Sequence, residues 1–337
     1  MNNPSTKQDN EQISNKPHTQ RNNVTGDEID LRELLYIVWQ GKRVAIIITS
    51  LFLIGSLIFA VKQPNVYKSE ALLAPTNSEN GGGGLAALAG QFGGIASMAG
   101  IDLGSKGAGD KTQIAIEVMK SRRFIGDFIK KHNLLPDLMA AKQWNMHDNS
   151  ISYDEKKYLV SNDEWVREVA APLKSKPSLQ EAYREFSKIL HVNTNKDTGM
   201  ITISIEHISP YLAEYWISLF IQDINSEMKQ RDVTEANKSI EFLENKIKQT
   251  NIADIRAVLY KLVEEQAKTI MFAEVREEYV FKTIDPAFVP EKKFKPKRGM
   301  IVIVGFILGF VFSVLGLFIK YVFVRKKHFY NQKMKVE

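Results

Sequence analysis

Paired carboxylates, scattered histidines and one glycine-rich loop are the residues whose types and spacing could support chemistry. Glu264-Glu265 and Glu277-Glu278 each place two acids side by side, as general acid and base work requires. Neighbours in sequence point in different directions on a helix or strand, so both pairs read as solvated faces. The six histidines, His18, His132, His147, His191, His207 and His328, show no His-Glu-x-x-His spacing, and no Gly-x-Ser-x-Gly elbow occurs. With no cysteine there is no thiolate nucleophile, disulfide framework or thiolate metal site. The run from Gly104 to Thr112 resembles a phosphate-binding loop, but Asp110 stands between Gly109 and Lys111 where phosphate would bind, and no apolar strand precedes it. No catalytic residue, cofactor or metal is expected, and the chain reads as a scaffold.

The remaining candidates belong to membranes and contacts. Lys292, Lys293, Lys295, Lys297 and Arg298 form a basic run suited to anionic headgroups or a lipid diphosphate. Gly305 and Gly309, spaced Gly-x-x-x-Gly, permit close helix approach to the chain's own first helix, a neighbouring subunit or another membrane partner. The formal net charge of +6 and pI near 9.1 come mostly from the runs flanking the second apolar segment, which favours a membrane surface over nucleic acid.

The elements that must position these residues begin with two apolar runs. Met300 to Ile319 carries no charge and only Ser313 as a polar group, long enough to cross about 30 Å of hydrocarbon. Val44 to Val61 is equally free of charge, and Lys62-Gln63-Pro64-Asn65 after it offers no small-x-small cleavage site, so it is expected to stay attached. The expected organisation is a disordered tail over 1–26, an amphipathic juxtamembrane segment over 27–43, transmembrane helices over 44–61 and 299–324 enclosing a large domain over 62–298, and a tail over 325–337.

Within that domain Tyr67 to Ala74 reads as a strand stopped by Pro75, and 76–110 as a glycine-rich loop with a partly helical apolar centre. Lys111 to Lys131 reads as one helix, His132 to Asn145 as helix broken at Pro136, and Asp148 to Pro177, with isolated Trp165 and Val166, as an irregular insertion. Ser178 to Ile189 is a helix, and Leu190 to Glu206 a β-hairpin turning at Asp197-Thr198-Gly199. Ser209 as N-cap and Pro210 at the first position open a helix of about forty residues, roughly 60 Å long, whose partner returns over Ile252 to Val275, so that 209–275 is a helical hairpin. Its first half is apolar, with Leu212, Ile217, Phe220 and Ile224 facing the base. The sparser Val233, Ile240, Leu243 and Ile247 are candidate contacts with the returning helix or a neighbour. Tyr279 to Ile284 is a strand, and Pro286, Pro290, Pro296, Lys297 and Arg298 form a rigid membrane-proximal connector.

Ile29-Asp30-Leu31 and Trp39 before the first anchor, Tyr67 and Ala71 after it, and Ala273 to Ala287 (AEVREEYVFKTIDPA) stand in a telling order. With Pro290, Pro296-Lys297-Arg298, Gly305 and Gly309, they resemble the Wzz chain-length determinants, or polysaccharide co-polymerases, of bacterial inner membranes. The resemblance covers nearly the whole chain, and the Gly81 to Gly109 segment is its least typical part. It implies an α+β periplasmic domain with a long extended helix, anchored by N- and C-terminal transmembrane helices, both termini being cytoplasmic. It also implies a homo-oligomeric ring in the inner membrane that sets the length of a surface polysaccharide, lipopolysaccharide O-antigen first. The implied partners are a Wzy-type polymerase, undecaprenyl-diphosphate-linked polysaccharide and membrane lipids, with no nucleic acid. Some relatives carry a C-terminal tyrosine kinase, for which Lys320 to Glu337 is too short. A capsule or exopolysaccharide co-polymerase, or an export adaptor feeding an outer-membrane channel, shares this layout and is the alternative. Charge alone leaves the orientation open, with nine basic residues flanking the anchors on the tail side and eight on the domain side.

Overall fold

The computed structural model describes residues 39, 41–76 and 108–333. The tail over 1–26, nearly all of the amphipathic segment, and the glycine-rich stretch up to residue 107 lie outside the described residues, while the end of the Gly104–Thr112 run, from Ala108, opens a helix. The chain divides into two compact units, Met1–Ser56 with Val302–Glu337, and Leu57–Ile301.

The two apolar runs are helices, α1 (Lys42–Lys62) and the last described helix α8 (Arg298–Lys333). Both contain windows long and apolar enough to cross a membrane, Lys42–Lys62 and Arg298–Tyr321.

The larger unit is built on a four-stranded sheet in the order β6-β7-β1-β8, every pair antiparallel. Its strands are β1 (Tyr67–Pro75), β6 (Leu190–Thr194), β7 (Ile201–His207) and β8 (Phe281–Asp285). Between β1 and β6 lie α2 (Ala108–Lys120), α3 (Arg122–Lys131), α4 (Leu135–Met139), four short strands, and α5 (Leu179–Ile189). The hairpin of α6 (Pro210–Gln249) and α7 (Ala253–Val275) separates β7 from β8.

Alternation decides which face of the sheet is buried. In the register from Tyr67 opposite His207 to Leu73 opposite Ile201, the residues Ala71, Leu73, Ile201, Ile203 and Ile205 all face the core. Against them pack Trp216, Ile217, Phe220 and Ile224 of α6, while Leu212 is partly buried beside them. Phe124 and Phe128 of α3 meet Phe220 edge-on at centroid distances of 5.2 and 5.1 Å, the offset geometry that aromatic quadrupoles favour. The apolar first half of the long helix therefore serves the base, as its composition predicts.

Several boundaries differ from the sequence reading, each for a local reason. Lys111 to Lys131 is two helices, because Ser121 turns extended and accepts the Phe124 amide as the N-cap of α3. Pro136 does not break a helix; it opens α4, where the missing N–H costs nothing. Ala141–Trp144, expected as helix, is instead strand β2, because it pairs antiparallel with β3 (Ile151–Tyr153) of the irregular insertion, and the insertion itself closes a second small pair, β4 (Tyr158–Leu159) with β5 (Glu164–Trp165). The last strand starts at Phe281 rather than Tyr279, whose hydroxyl donates instead to Asp232 of α6 at 2.6 Å. The β6–β7 turn fits its prediction: Asn195 Oδ1 accepts the amides of Asp197 and Thr198, and Gly199 sits at φ +70°, where a side chain would be strained. Ser178 and Glu181 close a reciprocal capping box at the start of α5.

Candidate functional site

Three groups of candidate residues can be followed from sequence to geometry. In the membrane-helix unit, Gly305 and Gly309 of α8 are both buried. A Cβ built on Gly309 would lie 2.7 Å from Phe52 Cβ, and one on Gly305 would come closer still to Ser56. The glycines are thus the surface on which α1 of the same chain rests. Phe52 stacks on Phe312 at 5.6 Å, and the hydroxyls of Ser56 and Ser313 donate to the carbonyls of Leu53 and Phe310 within their own helices. Thr49, Phe52 and Ser56 are the partner positions that sequence reasoning missed. Their i, i+3, i+7 spacing, with small polar residues at both ends, was the available signal. Replacing Gly305 and Gly309 by Leu is expected to drive the two helices apart, because the clash is with Cβ atoms that no rotamer change can move. A cysteine pair at Thr49 and Phe312 in this cysteine-free chain reports it: oxidative crosslinking should fall several-fold in the double variant, while the far-UV spectrum of the larger unit stays unchanged.

The connector is fastened to the larger unit. Val66 O accepts from the amides of Phe294 and Lys295 at 2.8 and 3.1 Å, and Val66 N donates to Lys295 O at 2.9 Å, so the entry and exit segments of the unit are paired. Lys295 Nζ reaches both carboxylate oxygens of Glu206, at 3.0 and 2.7 Å, and His191 Nε2 lies 3.2 Å from the same carboxylate. Phe294 carries the ammonium groups of Lys68 and Lys295 over its ring at 5.1 and 5.3 Å. Ser69 Oγ donates to Phe288 O at 2.7 Å. Pro290 is buried, Pro296 half-buried and Pro286 exposed. Of the basic run, Lys295 is committed to Glu206 and Arg298 donates through Nη2 to Asn65 Oδ1 at 3.2 Å, leaving Lys292, Lys293 and Lys297 exposed. The run therefore separates into a clamp and an exposed cationic surface, which its composition alone does not distinguish.

The third group is the hairpin. Leu243 and Ile247 are buried against Leu259 and Leu262 of α7, with Ile255, Val258 and Val263 beside them, while Val233 and Ile240 are half-buried. Acidic residues of α6 carry contacts that periodicity did not suggest. Asp223 accepts from Lys131 Nζ at 2.6 Å and contacts His132 Nε2 at 2.9 Å; Asp232 accepts from Lys111 Nζ at 2.8 Å. Burial and the Asp232 carboxylate together push the Tyr279 phenol well above its usual range.

His207 ends β7 as a structural group. Its Nδ1 accepts the Ser209 amide at 3.1 Å, which leaves Nε2–H to donate to Asp137 O at 3.1 Å, and the ring lies 4.8 Å from that of Trp216. Burial holds its pKa below the usual histidine value by disfavouring the cation. A depressed folded pKa means that the unfolded chain binds the extra proton first. The contribution is complete above about pH 6.5 and is lost as pH falls from there through the folded pKa. Thermal melts of the full chain in detergent should show a midpoint that drops between pH 7 and pH 5. His207→Gln should start lower but lose less over that interval.

Among the described residues no group of three or more His, Asp or Glu side chains is placed to hold a metal ion. Residues 27–132 match the family model Wzz, chain length determinant protein, and residues 241–322 match GNVR, "G-rich domain on putative tyrosine kinase". No curated protein matches the chain. Among solved structures, it is similar to a full-length bacterial polysaccharide co-polymerase at 12% identity and a TM-score of 0.38, over 88% of this chain and 99% of that one. It is also similar to a fragment of WzzB, the polysaccharide co-polymerase from Salmonella Typhimurium, at 11% identity and a TM-score of 0.28, over 68% of this chain and 100% of that one.

Proposed function

We propose that this chain, whose residues 27–132 carry the Wzz chain length determinant match, regulates the length of a surface polysaccharide as an inner-membrane scaffold, lipopolysaccharide O-antigen being the first candidate. That match is the observation that carries the reading, and it bears out the resemblance drawn from Ile29-Asp30-Leu31, Trp39, Tyr67 and Ala71. In this reading identical subunits form a head-to-tail ring, a geometry in which each copy must offer two different faces. The ring acts beside a Wzy-type polymerase on undecaprenyl-diphosphate-linked polymer, and the exposed Lys292, Lys293 and Lys297 meet anionic headgroups. The domain between α1 and α8 lies in the periplasm and both tails in the cytoplasm. Length control of this kind requires surfaces held in register and no nucleophile beside a base, so no hydrolase, transferase or kinase activity accompanies it.

A second reading is a capsule or exopolysaccharide co-polymerase, or an adaptor that passes polymer to an outer-membrane channel; the GNVR match over the end of α6, α7, β8, the connector and most of α8 fits both readings. Deleting the gene and resolving the surface polysaccharide on a gel separates the two. Lost modality with polymer still at the surface supports the length regulator; polymer lost from the surface supports the conduit; an unchanged ladder rejects both. Orientation is tested by Ser14→Cys and Lys196→Cys, single cysteines in a chain that has none. Labelling of Ser14→Cys, but not Lys196→Cys, by an impermeant reagent in intact spheroplasts would reverse the topology.

A further inference from the structure

The segment between α4 and α5 is more ordered than its composition requires. Two-stranded pairs as short as β2–β3 and β4–β5 are not stable alone, and a row of rings holds these together. Tyr153 meets Tyr158 edge-on at 5.7 Å, and Tyr158 meets Trp165 at 5.0 Å with a 48° tilt. Both phenols are fixed from behind, Tyr153 OH donating to Asp137 Oδ1 at 2.5 Å and Tyr158 OH to Asp163 Oδ1 at 2.7 Å. Arg167 fastens the far side, with Nη2 2.7 Å from Glu181 and 2.9 Å from Lys174 O, and Nε donating to Ser175 O at 2.7 Å.

On this support lies a groove of about 630 Å³, with Met139, Trp165 and Val166 among its apolar lining and Asp154, Lys156 and Glu168 among its charged lining. One side of the Trp165 ring packs on Tyr158 while the residue also lines the groove. Its indole makes no hydrogen bond among the described residues, unlike that of Trp144, which donates to Asn149 at 2.8 Å. The Arg167 charge is already matched by Glu181, so the remaining lining charges, Lys156 and Lys157 against Asp154 and Glu168, cancel.

That combination selects a ligand class. An anion would need surplus positive charge, and an apolar ligand would leave the carboxylates and ammonium groups facing it without partners. A hydroxyl-rich ring satisfies both parts: its C–H face covers the indole, and its hydroxyls donate to carboxylates and accept from ammonium groups and the indole N–H. We propose that this groove binds a short stretch of neutral saccharide, one sugar ring stacked on Trp165 and flanking hydroxyls held by Asp154, Glu168, Lys156 and Lys157. The proposal rests on the chain-length reading, which supplies a polysaccharide as the polymer in reach. Because the ring row is fixed before the ligand arrives, little ordering cost falls on binding.

The test uses the full chain in nanodiscs and, as probe, polysaccharide released by mild acid from the surface of the source bacterium, with polyglutamate as the anionic control. Wild type should bind the polysaccharide and not polyglutamate. Trp165→Ala should weaken binding by roughly tenfold, the scale of one lost aromatic contact, and Trp165→Phe should restore most of it. Lys156→Ala with Glu168→Ala, both at exposed positions, should weaken binding several-fold without touching the ring row, which covers the case in which Trp165→Ala fails to fold. No binding by wild type, equal binding of polyglutamate, or wild-type affinity in both the Trp165→Ala and the double variant would overturn the proposal. The gene deletion keeps the two readings apart: a lost length distribution with no saccharide bound at this groove removes the groove alone, whereas an unchanged distribution removes the chain-length reading.

Discussion

Asn225→Ala is expected to destabilise the larger unit by about 3–5 kcal/mol, the sum of three broken buried hydrogen bonds at about 1–3 kcal/mol each less partial relaxation. Asn225 lies in the apolar half of α6 and is only 4% exposed. Its Oδ1 accepts the amides of Val280 and Phe281 at 2.8 and 2.9 Å, and its Nδ2 donates to Phe281 O at 3.0 Å. Phe281 stands opposite Pro75, which has no N–H to give, so the partner strand offers Phe281 O no donor at that position. The side-chain amide thus supplies both donor and acceptor to the start of β8. A loss of that size is a large share of the 5–15 kcal/mol typical of a domain. Urea unfolding of the full chain in detergent, followed by near-ultraviolet circular dichroism, measures it, with Asn225→Leu as a filled-volume control. A loss below about 1 kcal/mol in both variants would show that water takes the place of the amide.

Leu243→Glu combined with Ile247→Glu should open the end of the helical hairpin and, under the proposed function, shift or broaden the polymer length distribution. Leu243 is 6% exposed and Ile247 8%, and both meet Leu259 and Leu262 in a cluster separate from the main core. Truncating one such leucine costs about 2–5 kcal/mol, and placing a carboxylate there adds the cost of burying a charge without a partner. The separateness of the cluster confines the damage: the sheet and its aromatic packing share no residue with it. Limited proteolysis should therefore find new cuts near residues 240–262 while the base retains its melting transition. A wild-type length distribution from a normally expressed double variant would refute the idea that this part of the hairpin sets length through packing, even where the new cuts appear.

How much was legible in advance follows from the range of the forces involved. Apolar runs without charge, the Ser209-Pro210 helix start and the Asp197-Thr198-Gly199 turn are written within a few residues of one another. The two membrane-length helices, the hairpin strands and the long helix could accordingly be read directly. Ser121 was missed because a single capping serine inside a continuous apolar period is overridden in any count of periodicity, although its backbone decides the break. The small strands around Trp165 were missed because their order comes from ring contacts and pinned phenols rather than from alternation.

Apart from the spacing of Thr49, Phe52 and Ser56, partners distant in sequence had no such signature. Nothing near Gly305 and Gly309 indicates that Ser56 and Phe52 fill the space beside them, and nothing near Lys295 indicates Glu206. Asn225 and Asp223 look like blemishes in an apolar stripe until β8 and α3 are seen against them. By itself the sequence determined which segments are helix, strand and membrane-length, because hydrophobic period, capping and chain stiffness act locally. Only the tertiary structure decided which basic residues are clamped and which stay exposed, and which polar groups are satisfied in the core. Those outcomes depend on the donors, acceptors and ring faces that packing brings within about 3–5 Å, across separations along the chain that no local pattern records.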